Sequence, residues 1–154
     1  MPILANNRRA SFDYDLLESY EAGLVLSGQE AKSAKGGHIN LNGSYVSIKA
    51  DKSGPELWLI NAHISPYPYA GQLSGYEPTR DRKLLVTKRE MAHLSGKIQE
   101  KGLTLIPVKM YTKRSFVKLE FALGRGKKKY DKREAIKKRE TERQIRTFTK
   151  RQGK

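Results

Sequence analysis

Five cationic side chains fall within the nine residues of "GKKKYDKRE", residues 126–134, around a single tyrosine. Ammonium and guanidinium groups at that density neutralise phosphates, and an aromatic ring among them can stack on a base. The chemistry on offer is polyanion binding. Groups suited to bond making are sparse. His38, His63 and His93 show no metal-ligand spacing and no H-E-x-x-H motif. "GLVLSGQE" and "GRGKKK" hold glycines, but not the G-x-x-x-x-G-K-[ST] spacing that cradles a nucleotide. Ser11, Ser27 and Ser115 lack the surroundings of a nucleophile elbow. Cysteine is absent, which excludes disulfides, thiolate metal sites and a cysteine nucleophile. Glu18, Glu21 and Glu30 remain as acid–base candidates, although carboxylates beside strands are usually solvated or salt-bridged. Glu21 stands out because it lies in a predicted strand among small residues of a cation-rich chain. It is either half of an inter-strand ion pair, or a carboxylate that orders basic groups or accepts hydrogen bonds from guanine edges or ribose hydroxyls. The expectation is a binding protein, not an enzyme, with no cofactor and no metal.

The whole chain supports that expectation. Its 154 residues carry 31 Lys and Arg against 16 Asp and Glu, a net charge of +15. Such a surplus implies a polyanionic partner, either nucleic acid or an anionic membrane surface. No apolar run approaches the roughly 18 residues of a membrane span. "MPILANNRRA" lacks the apolar core of a secretory signal. A cytoplasmic protein with no membrane association is expected. The charge is concentrated: residues 125–154 hold 14 Lys and Arg against 4 Asp and Glu. This shift divides the chain into a folded domain, 1–124, and a basic C-terminal tail, 125–154.

The elements that must position these groups are read from periodicity and turn chemistry. Residues 14–26 predict a strand with Gly23 as a bulge or a close backbone approach. A short helix opens at Ser27 or Gly28 and closes at Gly36–Gly37. "GSYVSIKA" and "ELWLINAHI" alternate as two strands of a hairpin about the turn "DKSGP". Residues 65–82, with three prolines, form a long loop. "KLLV" is a short strand. Thr87 and Glu90 form a capping box for a helix that faces inward through Met91, Leu94 and Ile98 and stops at Gly102. "LTLIPVKMYT" and "FVKLEFAL" are the last hairpin, with Val117, Leu119 and Phe121 on one face and Lys118 and Glu120 on the other. The fold class is mainly β. An OB-type, partly open Greek-key β-barrel with flanking helices fits the strand count and the charge.

In the tail, Asp131 and Glu134 give a weak helix start, and nothing breaks a helix before about Thr147. Apolar positions are few, and Lys128 and Lys132 repel at i,i+4. The tail is expected to be largely disordered when free and helical when phosphates surround it.

Four stretches, in order, resemble one family. They are "NRRASFDYDLLESYEAGLVLSGQEAKSAKGG", "PTRDRKLLVTKREMAHL", "KGLTLIPVKMY" and "GKKKYDKREAIKKRE". Together they are similar to the signatures of the SsrA-binding proteins, also called small protein B, from about Asn7 to Arg143. The resemblance implies an OB-type barrel that binds the transfer-RNA-like domain of transfer-messenger RNA, the RNA travelling charged with alanine alongside elongation factor Tu and GTP. It implies delivery to ribosomes stalled on messages without a stop codon, with the tail entering the empty message channel and becoming helical there. A monomer that catalyses nothing is implied.

By matching motif positions, Asn7, Glu21, Leu85 and Lys118 become expected RNA contacts or supports for them. Arg8, Arg9 and Lys32, cations of the same N-terminal signature, join that set. The ribosome-binding tail set is Gly126, Lys127, Lys128, Tyr130, Asp131, Lys132 and Arg133, followed by Lys137 and Arg139, with Tyr130 stacking near the decoding centre. Gln29, Ala31, Ala34 and Lys35 depart from the family's usual Thr, Val, Leu and Arg, which makes one buried contact of the first helix smaller. Two rival readings stay open: a general ribosomal or structural RNA binder without transfer-messenger RNA specificity, and an RNA-processing enzyme.

Overall fold

The structure is a computed structural model and describes residues 2–68, 76–100 and 102–127. Nine strands and three helices appear among them, in the order β1 (Ile3–Asn6), α1 (Ala10–Asp13), β2 (Tyr14–Leu24), α2 (Gly28–Lys35), β3 (Ile39–Asn40), β4 (Tyr45–Asp51), β5 (Gly54–Ile60), β6 (His63–Ile64), β7 (Arg82–Leu85), α3 (Lys88–Lys97), β8 (Leu103–Lys113) and β9 (Phe116–Gly126).

The main sheet runs β1-β8-β4-β5-β7-β2-β9, and β9 also pairs with β8, so six strands form a ring with β1 attached outside it. Every pairing is antiparallel. β4, β5 and β7 form a meander, and β2 comes back to lie against β7. That is a Greek-key order, as the sequence led one to expect. The ring closes weakly between β4 and β8, at Val46 and Leu105, and extensively between β8 and β9, from Leu103–Arg125 to Lys113–Phe116.

Alternation explains why the ring holds. Val117, Leu119, Phe121 and Leu123 of β9 point inward, as do Leu57 and Leu59 of β5, Leu84 of β7 and Met110 of β8, and all belong to one buried cluster. Met91 and Leu94 of α3 join it. Fully burying each such side chain is worth roughly 1.5–3 kcal/mol.

Several local features differ from the sequence expectation. β1 and α1 were not anticipated, because four residues of "ILAN" carry no readable period; β1 is held by its ladder to Lys109–Tyr111. The strand expected over 56–64 breaks at Asn61, whose φ is 64° and whose amide donates to the Gly43 carbonyl at 3.2 Å. β6 then pairs separately with β3. Gly23 lies in regular pairing, while the register shift of β2 falls between Leu16 and Glu18. Of the two readings of Gly23, close approach is therefore the observed one.

The complete capping box belongs to α2, where the Ser27 N–H donates to Glu30 Oε1 at 2.9 Å and the Glu30 N–H donates to Ser27 Oγ. At α3 the Glu90 N–H donates to Thr87 Oγ1, but the Thr87 hydroxyl itself bonds the Glu90 carboxylate. The reciprocal bond to the Thr87 backbone is not made there.

Candidate nucleic-acid interface

One line of paired residues crosses the outside of the barrel. Leu85 of β7 pairs with Gly23 of β2, Gly23 with Lys118 of β9, Lys118 with Tyr111 of β8, and Tyr111 with Ile3 of β1. Directly paired residues project to the same face of a sheet, so these five form one band. Glu21, two residues from Gly23 on the same face, pairs with Glu120, which pairs with Lys109. A Cβ on Gly23 would meet Leu85 Cβ at 3.5 Å and Lys118 Nζ at 3.6 Å. The glycine thus lets an apolar and a cationic side chain close over bare backbone.

Glu21 is held. The Tyr111 hydroxyl donates to Glu21 Oε2, and Lys113 Nζ lies 3.5 Å from Oε1. The Tyr111 bond, helped by the Lys113 and Lys118 charges, lowers the carboxyl pKa below its ordinary value despite some desolvation. Desolvation and the same carboxylate raise the Tyr111 phenol above its usual range. At neutral pH the site therefore presents an ionised acceptor amid a tyrosine and several lysines. Such a carboxylate orders cations for phosphates and keeps lone pairs for donors on bases or riboses. Lys109 Nζ stands 3.8 Å from Glu120 Oε2 at its border.

Glu21, Leu85 and Lys118 share this face. The other expected site residues lie apart. Asn7 acts as a latch: its backbone N–H donates to the Val108 carbonyl at 2.8 Å and its side-chain amide to the Pro107 carbonyl at 2.9 Å. Both bonds fix the chain that leads into α1, so the geometry gives Asn7 a positioning role. Arg8 is exposed. Arg9 sits at the start of α1 with its Nε 3.7 Å from Asp13.

Asn7 and Arg9 line a concavity of about 800 Å³ with Tyr14, Tyr45, Gly126 and Lys127. Here the root of the tail is docked: the Lys127 N–H donates to the Asp13 carbonyl at 2.9 Å, and its Nζ to the Ser11 carbonyl at 2.8 Å. Lys32 lies on α2 with its Nζ 5.6 Å from the centre of the Tyr67 ring. Lys128, Tyr130, Asp131, Lys132, Arg133, Lys137 and Arg139 fall outside the described residues, as does the expected tail helix.

A third constellation, not anticipated from the sequence, supports the fold. Glu30 is 1% exposed and Arg82 0% exposed. Arg82 Nε donates to Glu30 Oε2 at 2.8 Å, Nη1 to the Ala62 carbonyl at 2.7 Å and Nη2 to the Pro78 carbonyl at 2.9 Å. Arg80 adds two more bonds to the same carboxylate. Burial pushes the Glu30 pKa up, but the bonds from Arg80, the Ser27 N–H and Arg82 outweigh it and bring it to about 2. The cluster ties α2 to the segments before β6 and β7. The sequence placed Glu30 among usual solvated or salt-bridged carboxylates and left Arg82 in a loop; no short-range signal pairs residues 52 apart. Tyr111 and Lys113 were likewise missed as partners of Glu21, because the pairing lies 90 residues away in the chain.

Comparison with known proteins identifies the relatives of this chain. The family model described as SmpB protein matches residues 4–151. The SsrA-binding protein of Nostoc punctiforme is 49% identical over 143 residues, covering 93% of this chain and 90% of that protein. That of Dehalococcoides mccartyi strain 195 is 51% identical over 142 residues, covering 92% of this chain and 80% of that protein. A solved chain, described as "tmRNA-SmpB: a journey to the center of the bacterial ribosome", superposes with a TM-score of 0.65 at 42% identity, covering 88% of this chain and 95% of that one. With the family model spanning nearly its whole length, the chain belongs to the SmpB family.

Proposed function

We propose that this protein binds the transfer-RNA-like domain of transfer-messenger RNA and carries it to stalled ribosomes. The barrel, 1–124, is the RNA-binding unit, and the basic tail, 125–154, is the ribosome-binding unit. The observation that carries this reading is the separation of two basic surfaces on one rigid hairpin. The Glu21–Leu85–Lys118 face lies toward the turn end of β8 and β9, whereas the tail leaves from the far end, where Lys127 is bonded to α1. Eight residues of strand separate Lys118 from Gly126, about 25 Å at roughly 3.3 Å per residue. A folded RNA arm held at one end leaves the other end open to a second RNA surface.

The relatives named SsrA-binding protein and the solved tmRNA-SmpB chain support the choice of RNA. In this reading the RNA arrives charged with alanine and accompanied by elongation factor Tu and GTP, in the cytoplasm. The protein supplies recognition and placement, with no catalytic step of its own. Tyr130, Lys128, Lys132 and Arg133 meet ribosomal RNA in the vacant message channel, where phosphates relieve the repulsion that opposes a tail helix.

Deleting residues 132–154 tests the division of labour. The truncated protein is expected to bind the transfer-RNA-like domain within about threefold of the full chain, yet to support no peptide tagging in a reconstituted stalled-ribosome assay. Tagging at the full rate would refute it. Glu21→Ala or Lys118→Glu is expected to weaken that binding while the thermal melt stays near that of the parent. Equal affinity for any structured RNA at moderate salt would instead favour a general RNA binder, which the +15 charge alone would also produce.

A further inference from the structure

The turn of the β8–β9 hairpin carries an unusual surface. Arg114 and Ser115 both have positive φ, 52° and 71°, values that two-residue hairpin turns normally assign to Asn-Gly. Beside them Phe116 is 69% exposed, and Lys118 Nζ stands 6.0 Å from the centre of its ring. Phe116, Lys113, Arg114, Lys118 and Glu21 line one concavity of about 400 Å³, within the range of pockets that take a small ligand. An aromatic face in water, three cations and a carboxylate held by Tyr111 are together more specific than a phosphate-binding patch. Cations alone suffice for phosphates; Phe116 adds a stacking face, and Glu21, already held by Tyr111 and Lys113, adds a fixed acceptor.

We propose that this concavity takes one unpaired guanosine of the bound RNA, its base stacked on Phe116, its phosphates on Lys113 and Arg114, and its Watson–Crick edge on Glu21. The inference rests on the RNA-binding reading above and narrows it to a nucleotide. Stacking on an aromatic ring needs an exposed base face, and reading the Watson–Crick edge needs a base out of its pair. Guanine offers adjacent N1–H and N2–H donors on that edge, which match the acceptors of one carboxylate. The other bases place an acceptor beside their donor, and that acceptor would face a negative oxygen. The Tyr111 hydroxyl fixes Glu21 through Oε2 and orients it for this contact.

The test uses the full-length protein and the transfer-RNA-like domain of transfer-messenger RNA as the probe. Phe116 is largely exposed, so its substitutions should leave the melting curve unchanged. Phe116→Leu, which keeps an apolar side chain but loses the ring, is expected to weaken binding about tenfold, whereas Phe116→Tyr stays within about twofold of the parent. Arg114→Gln should lower the slope of log affinity against log salt by about one, and Phe116→Leu should leave that slope unchanged.

Each unpaired guanosine is then replaced in turn by inosine, which lacks the 2-amino donor. One position should weaken binding about fivefold to the parent protein and not to Glu21→Gln. Phe116→Leu binding within twofold of the parent, or no inosine position that depends on Glu21, overturns the assignment while leaving the broader reading intact. A parent protein with no preference for this RNA over other structured RNA overturns both.

Discussion

Replacing Glu30 with Gln strips the charge from a carboxylate that faces two guanidinium groups, one of them, Arg82, completely buried. Arg82 keeps its bonds to the Ala62 and Pro78 carbonyls, but its positive charge then has no counter-ion in a region of low dielectric. Removing one partner of a buried ion pair typically costs about 3–5 kcal/mol.

The titration of Glu30 gives an independent figure. Its pKa falls from 4.5 to about 2 on folding, and at 1.36 kcal/mol per unit this corresponds to about 3 kcal/mol. The sign follows from the depressed pKa. The stabilisation is fully present above the unfolded value of 4.5 and is lost as pH falls toward about 2. For a protein of this size, a loss of about 3 kcal/mol lowers Tm by roughly 10 °C.

The assay is urea unfolding at several pH values, followed by the fluorescence of the single tryptophan, Trp58, in β5. Glu30→Gln should lose about 3 kcal/mol at pH 7, and this difference from the parent should shrink toward pH 2. The double substitution Glu30→Leu/Arg82→Met removes both buried charges but strands the Ala62 and Pro78 carbonyls and the Ser27 N–H, so it should recover only part of the loss. A Glu30→Gln protein within 1 kcal/mol of the parent at pH 7, or a difference that does not depend on pH, would refute the reasoning.

Other outcomes follow from single positions. Ser115→Gly removes a Cβ from a left-handed residue with φ 71° and should raise stability by about 1 kcal/mol, read as a higher urea midpoint. Gly124→Ala should lower stability by about 1–3 kcal/mol, because the new Cβ would stand 2.6 Å from Ile106 Cδ1 and 3.3 Å from Tyr14 Cβ in the core of the β8–β9 ladder. Asn7→Ala frees the Pro107 carbonyl and loosens the entry to α1. About 1 kcal/mol of stability should be lost, and hydrogen exchange of the α1 amides should accelerate.

The sequence by itself determined the class of the molecule. The charge surplus and its concentration after residue 124 narrowed the partner to a polyanion, nucleic acid or an anionic membrane surface, because phosphate attraction depends on counting cations and hardly on their arrangement. Alternation along β9 placed Val117, Leu119 and Phe121 inside and Lys118 and Glu120 outside, because a strand's two faces are set by its local period. Gly23 was legible only as a bulge or a close approach, and the strand pairing decided between the two.

What the tertiary structure decided were the contacts between segments distant in the chain. That Tyr111 and Lys113 hold Glu21, that Arg82 is buried against Glu30, and that Asn7 latches onto Pro107 depend on strand register and on the closure of the ring. Periodicity assigns a residue to a face of its own element. It carries no information about which residue of another element lies opposite, because that choice is made by the joint packing of a core that no single segment can bury alone.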